Sequence, residues 1–206
     1  ADSVNIGGLT ATGTYALSTG ADTLVATTGA NISGVNSGSA TTAETLNLTG
    51  GITMTVAQHN GFTTAITAVG GSDQITISAT DGAVTTAAAV ETYAIGDDST
   101  NARTVTVSAA GTSVTANSGT DAITFGISAL TYTGTLTGEA SVADTLSVTG
   151  VSSISGATLN NVVNLTLAGS SNTTMTAAQN NAFSGTVTAT GSETITISGD
   201  GAVTTL

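Results

Sequence analysis

The chain has 206 residues, with no Cys, Pro or Trp, one His, Arg103 as its single basic side chain, and a formal net charge of −12 at pH 7. So few cations cannot neutralise a run of phosphates, which excludes nucleic acid as a partner and disfavours anionic lipid surfaces. Aromatics make up 3% of the chain and the apolar content lies in small and β-branched residues, while no run of about 18 apolar residues is present to span a membrane as a helix.

In chain order, Val4 and Ile6 open a first strand-like alternation in "ADSVNIGG". "ADTLVATTGANISG" (21–34) and "AETLNLTG" (43–50) repeat that period of two, with Gly, Asn and Ser at the breaks, as turns require. "MTVAQHNGF" (54–62) departs from it. Here Thr55 is placed to cap a short helix. Met54 and Phe62 would plug a corner, Gln58 would bond to exposed backbone, and His59 reads as a surface or turn position. "SDQITISATDGAVTT" (72–86) returns to strand, "IGDDSTNA" reads as a polar turn, and "RTVTVSA" is again strand-like.

From there the chain repeats itself. "ALTYTGTLTGEASVADTL" (129–146) echoes residues 8–24, and "ADTLSVTGVSSISG" (143–156) answers residues 21–34. "VVNLTLAG" (162–169) answers residues 43–50, "MTAAQNNAF" (175–183) answers residues 54–62, and "SETITISGDGAVTT" (192–205) answers residues 72–86. Residues 1–206 therefore read as one body built from a duplicated unit, about 8–86 and 129–206, joined by 87–128. Thr176, Gln179 and Phe183 repeat the helical signals, but Asn180 stands where the first copy has His59.

A shorter cadence runs through both copies. An acid precedes a polar residue and then Leu or Ile at Asp22, Glu44, Asp73, Asp121, Asp144 and Glu193, Asp121 having Ala as its middle residue. Marks about 20–30 residues apart indicate stacked repeats. The expected fold is all-β, a parallel β-helix or β-solenoid with short helical excursions. Its rungs stack about 4.8 Å apart around a narrow interior filled by small apolar residues. The rival is a set of antiparallel β-sandwich repeats.

Few residues offer chemistry. No Ser-His-Asp set, phosphate-binding loop or EF-hand pattern is present, and the expectation is that the chain is not an enzyme and holds no certain cofactor. The acidic marks are hard oxygen ligands suited to Ca²⁺, with Asp73, Asp97 and Asp98 as the candidate metal ligands. "VGGSDQITIS" (69–78) is similar to the calcium-binding glycine-rich nonapeptide of secreted bacterial repeat proteins. The competing reading puts these acids at exposed corners, where they keep an assembly soluble.

Strings such as "ADTLSVTGVSSISGATLNNVVNLTLAGSSNTTMTAAQNNAFSGTVTATGSETITISG" resemble bacterial β-strand-repeat surface proteins, among them S-layer proteins and large adhesins exported by type I secretion. The resemblance implies an extracellular, cell-surface structural protein that forms layers, fibres or stalks, often with calcium. Solenoid ends expose unpaired backbone groups, so Val4, Ile6, Val203 and Leu206 are the expected contacts for head-to-tail self-assembly, a homopolymer being the expected partner. The alternatives are a calcium-dependent adhesin module that binds a cell-surface glycan, and ice binding through Thr-x-Thr rows such as Thr104/Thr106, Thr131/Thr133 and Thr186/Thr188.

Overall fold

The computed structural model describes residues 1–13, 21–35, 44–78, 82–96, 102–117 and 119–204. Its first half carries β1 (Ser3–Gly7), β2 (Thr10–Gly13), β3 (Thr23–Thr27), β4 (Asn31–Val35), β5 (Thr45–Thr49), β6 (Gly51–Met54), the helix α1 (Val56–Gly61), β7 (Ala65–Ala68), β8 (Gln74–Ile77), β9 (Ala83–Thr85) and β10 (Thr92–Ile95). The second half carries β11 (Arg103–Val107), β12 (Ser113–Ala116), β13 (Ile123–Ser128), β14 (Thr135–Thr137), β15 (Asp144–Ser153), β16 (Thr158–Asn160), β17 (Val162–Thr176), the helix α2 (Ala177–Ala182), β18 (Val187–Ala189) and β19 (Thr194–Ser198).

These strands wind into an all-β parallel solenoid of about eight turns. Odd and even strands separate into a four-stranded sheet, β1-β3-β5-β7, and an eight-stranded sheet, β2 through β16. A seven-stranded sheet runs β9-β11-β13-β15-β17-β18, with β19 on a second segment of β17. Every pairing is parallel, which excludes the antiparallel sandwich.

Alternation decides what faces inward. Apolar residues of successive rungs lie on one another, as in Ile52–Ile75–Tyr93–Val114–Leu136–Leu159 along the eight-stranded sheet. The seven-stranded sheet stacks Val84–Val105–Phe125–Leu146–Leu165–Val187. Tyr93, Tyr132, Phe125 and Phe183 are among the largest fully buried side chains, so the aromatics among the described residues belong to the core. Between β5 and β6 the chain turns a corner at Gly50 (φ 80°), a left-handed conformation that suits a residue without Cβ. Its counterpart Gly169 (φ 66°) makes the corresponding corner inside β17.

The two copies do not occupy the same sheets. β5 and β7 of the first copy lie in the four-stranded sheet, whereas their counterparts, the first segment of β17 and β18, lie in the seven-stranded one. β6 and β8 lie in the eight-stranded sheet, and their counterparts, the second segment of β17 and β19, pair with each other outside it. The second copy is thus turned by one side of the solenoid. The sequence motif specifies a length of rung and its corner, and either copy fits the stack on a different side.

Candidate functional site

The acidic cadence marks the corners. Asp22 accepts the Asp2 N–H at 2.6 Å, and Glu44 accepts the Asp22 N–H at 2.6 Å. Asp73 accepts the Gly50 N–H, and Glu91 accepts the Asp73 N–H at 2.9 Å. Glu139 accepts the Gly119 N–H at 2.9 Å, and Asp144 accepts the N–H groups of Ile123 at 2.8 Å and Glu139 at 2.5 Å. All but the last of these bonds reach from one turn to the one before. A corner swings its backbone N–H out of the β ladder, and a buried donor needs an acceptor. A carboxylate supplies a charge-assisted one.

These side chains correct the expectation of solvated acidic corners. Asp22, Asp73, Glu139 and Asp144 are buried, whereas Glu193 is half-buried and accepts the N–H of Gly191 within its own turn besides bonding the Ser170 backbone on the turn before. Asp73, read as a calcium ligand, has one carboxylate oxygen on Gly50, while the other is buried without a hydrogen-bond partner. No group of three or more acidic or His side chains able to share a metal occurs among the described residues. Asp97 and Asp98 lie outside the described residues.

One corner also takes the chain's single arginine. Arg103 opens β11 with its side chain 3% exposed. One guanidinium nitrogen donates to Gly96 O at 2.7 Å, and the other donates to Asp121 O at 2.7 Å and Glu139 Oε1 at 2.9 Å. Burial pushes the nearby Asp144 carboxyl up from its ordinary value, and the Glu139 charge adds to that, against the pull of two N–H donors and Arg103. Sequence reasoning saw Arg103 as isolated and gave Glu139 no role. Its one local signal is the preceding Gly138, where a Cβ would overlap Asp144 Oδ2.

The repeated phrase builds two wedges. Thr55 and Thr176 close capping boxes with Gln58 and Gln179. Gln58 Nε2 donates to Ile32 O at 2.5 Å and Val35 O at 2.7 Å, and Gln179 Nε2 donates to Ile154 O at 2.6 Å and Ala157 O at 2.8 Å. On the other side, Asn60 Nδ2 donates to Ala83 O and Asn181 Nδ2 to Ala202 O, both at 2.9 Å. Each helix therefore ties an earlier turn to a later one. Met54, Met175, Phe62 and Phe183 are buried, as expected of plugs.

His59 is a correction, since it is 5% exposed and no surface residue. Its Nε2 lies 3.1 Å from the Tyr93 hydroxyl, and its Nδ1 lies 3.2 Å from Asn60 Oδ1. The Tyr93 oxygen also accepts the Ala87 N–H at 2.7 Å.

Outside, the seven-stranded sheet carries hydroxyl ladders. One column runs Ala83–Thr104–Thr124–Thr145–Asn164, and Thr186 continues it by donating its N–H to Asn164 Oδ1 at 2.8 Å. The next runs Thr85–Thr106–Gly126–Ser147–Thr166–Thr188. Two of the three Thr-x-Thr pairs singled out in the sequence, Thr104/Thr106 and Thr186/Thr188, share these columns. Thr131 instead bridges to Ser153, away from them.

Of the residues expected at the assembly ends, Val4 is half-buried, Ile6 belongs to the core at 7% exposure and Val203 is 37% exposed. Leu206 lies outside the described residues. No helix among the described residues is long and apolar enough to cross a membrane. The corners, wedges and ladders must be read on their own chemistry: no family model, curated protein or solved structure matches this chain.

Proposed function

We propose that the chain is a structural protein of the bacterial cell surface that elongates by stacking rung on rung, head to tail. One observation carries this reading: the duplicated unit sits on different sides of the solenoid in its two copies. A rung that accepts a neighbour on any side is an element for extension. The chemistry agrees, because Arg103 and the buried acids serve backbone groups of the chain itself. Among the described residues, β1 and β2 each pair on one face only, and the unpaired N–H and C=O groups of such a face suit another parallel rung. A contact between unlike ends does not close on itself and grows a filament. The cell-surface setting rests on the resemblance of the repeats.

Negative-stain electron microscopy and light scattering on the purified chain, with and without calcium, test this. Filaments one solenoid wide are expected in both arms. Single particles at every calcium and salt concentration would overturn the reading. Filaments in calcium alone, together with a cation-dependent rise in Tm and retention on a glycan array, would move the assignment to the calcium-dependent adhesin.

A second reading follows from the ladders. Their hydroxyls repeat about 4.8 Å between rungs and about 6.6 Å along each strand, and neither column contains a charged residue although the chain carries −12. An uncharged grid of hydroxyls and methyls suits ordered water, hence ice. Thermal hysteresis in the purified chain, lost in Thr106→Lys with Thr166→Lys, is the expected result. Ice growth unaffected by the wild type removes this reading.

A further inference from the structure

The structure assigns an acid-sensitive latch to the first helix: the His59–Tyr93 hydrogen bond holds α1 under the edge of the seven-stranded sheet, and protonation of His59 releases it. The proton positions follow from the partners. Because the Tyr93 oxygen already accepts the Ala87 N–H, its own hydroxyl proton is free to be donated. The acceptor within reach is His59 Nε2. That fixes the neutral imidazole with its proton on Nδ1, facing Asn60 Oδ1. A second proton on Nε2 would turn that acceptor into a donor, so the Tyr93 hydroxyl would have to rotate its proton away with no new acceptor in reach among the described residues, in a site where Tyr93 is fully buried.

Among the described residues packed against His59, none compensates the charge. β10 presents the Tyr93 phenol, itself held uncharged by burial, which raises its pKa well above the ordinary value. β9 brings Ala83, Val84 and Thr85, and α1 brings Gln58 and Asn60. None of these groups is a carboxylate. Consistent with this, burial holds His59 below its ordinary value of 6.5, against a smaller opposing effect of Asn60.

Release is local because α1 has six residues, too few to hold as a helix without its contacts. Among the described side chains, Asn60 ties it to β9 through its Nδ2 on Ala83 O, an exposed hydrogen bond, while Gln58 Nε2 keeps it tied to the turn before at Ile32 O and Val35 O. β9 pairs with β11 on one side only, so departure of α1 bares its other edge. The second copy supplies an internal control. α2 has the same capping box and glutamine tie, but Asn180 in place of His59.

The linkage has a definite sign. A histidine whose folded pKa is depressed binds its proton more readily in the open form. The closed form therefore loses ground as pH falls below about 6.5, and the loss levels off below the folded pKa. The test is hydrogen–deuterium exchange on the full chain between about pH 7.5 and pH 5, spanning the histidine range, corrected for intrinsic exchange. NMR titration of the chain's single histidine accompanies it. Protection of 56–62 and 83–85 should hold from pH 7.5 to about 6.5 and then drop by up to about tenfold per pH unit until the folded pKa is reached, while 177–183 holds. His59→Asn should make the first helix as pH-indifferent as the second. Parallel loss of protection in both helices would overturn the latch, and so would an unchanged α1. If His59→Asn does not fold, the comparison of the two wild-type helices and the titration still decide, because a folded histidine pKa at or above 6.5 excludes it.

Discussion

Glu139→Ala is expected to destabilise the fold by about 3–5 kcal/mol, the cost of leaving a buried charge without its partner. The substitution strands the Arg103 guanidinium, whose side chain is 3% exposed and which keeps only carbonyl acceptors, at Ile95, Gly96 and Asp121. It also removes the acceptor of the Gly119 N–H. Arg103 cannot shed its proton, since a guanidinium stays charged at any ordinary pH. The remaining response is for the corner to open and let water in, which breaks the rung contacts on both sides. Replacing both partners, Arg103→Met with Glu139→Leu, should recover much of the loss, because a well-packed apolar pair removes the charge together with its demand. Urea unfolding followed by circular dichroism, arranged as a double-mutant cycle, gives the coupling directly. A loss under about 1 kcal/mol for Glu139→Ala, the size of an exposed pair, would show that this corner is wet and the pair is incidental.

The same corner shows what the sequence could and could not reveal. The rungs were legible because alternation and turn residues act locally: "TLNLT" and "ITIS" have one way to place Leu48 and Ile77 inside a narrow stack. The helices were legible too, since a Thr with Gln three residues on is a local capping signal. The role of the acids was not. Asp22 and Asp144 hold N–H groups 20 and 21 residues away, and no local pattern separates such an acceptor from a solvated corner or a cation ligand. Exchange of His59 for Asn180 suggested an unconstrained surface slot. Both positions are buried, and the difference lies in Tyr93, a partner that sequence distance hides. The ladders failed for a related reason. Loops of unequal length between rungs hide from the linear spacing that Thr106 and Thr166 share a column.

Asp144→Ala carries the second large effect. Asp144 is fully buried and its two oxygens satisfy separate donors, the N–H of Ile123 on the turn before and the N–H of Glu139 on its own corner. Alanine leaves both without an acceptor, at about 1–3 kcal/mol each, so a loss of about 2–6 kcal/mol is expected from chemical denaturation. Water could reach the gap only by displacing the Gly138 turn that closes over the carboxylate. Asp144→Asn keeps one acceptor oxygen and turns an amide donor toward the other N–H, so it should fall between alanine and the wild type. The pH dependence separates charge from geometry. Burial raises the Asp144 pKa in the fold, which means the native state takes up a proton before the unfolded chain does. Wild-type stability relative to Asp144→Asn should therefore increase as pH is lowered through the raised folded value, and stop increasing below the unfolded value of about 3.9. A gap between the two proteins that shrinks over that range would mean that Asp144 acts as an ordinary stabilising carboxylate, favoured in its charged form. Glu193→Ala, by contrast, removes a half-buried carboxylate that accepts the Gly191 N–H of its own turn and also bonds the Ser170 backbone on the turn before, and it should cost less than Asp144→Ala in the same unfolding measurement. Equal effects at Asp144 and Glu193 would mean that burial at the corner has no bearing on how these acids stabilise the stack.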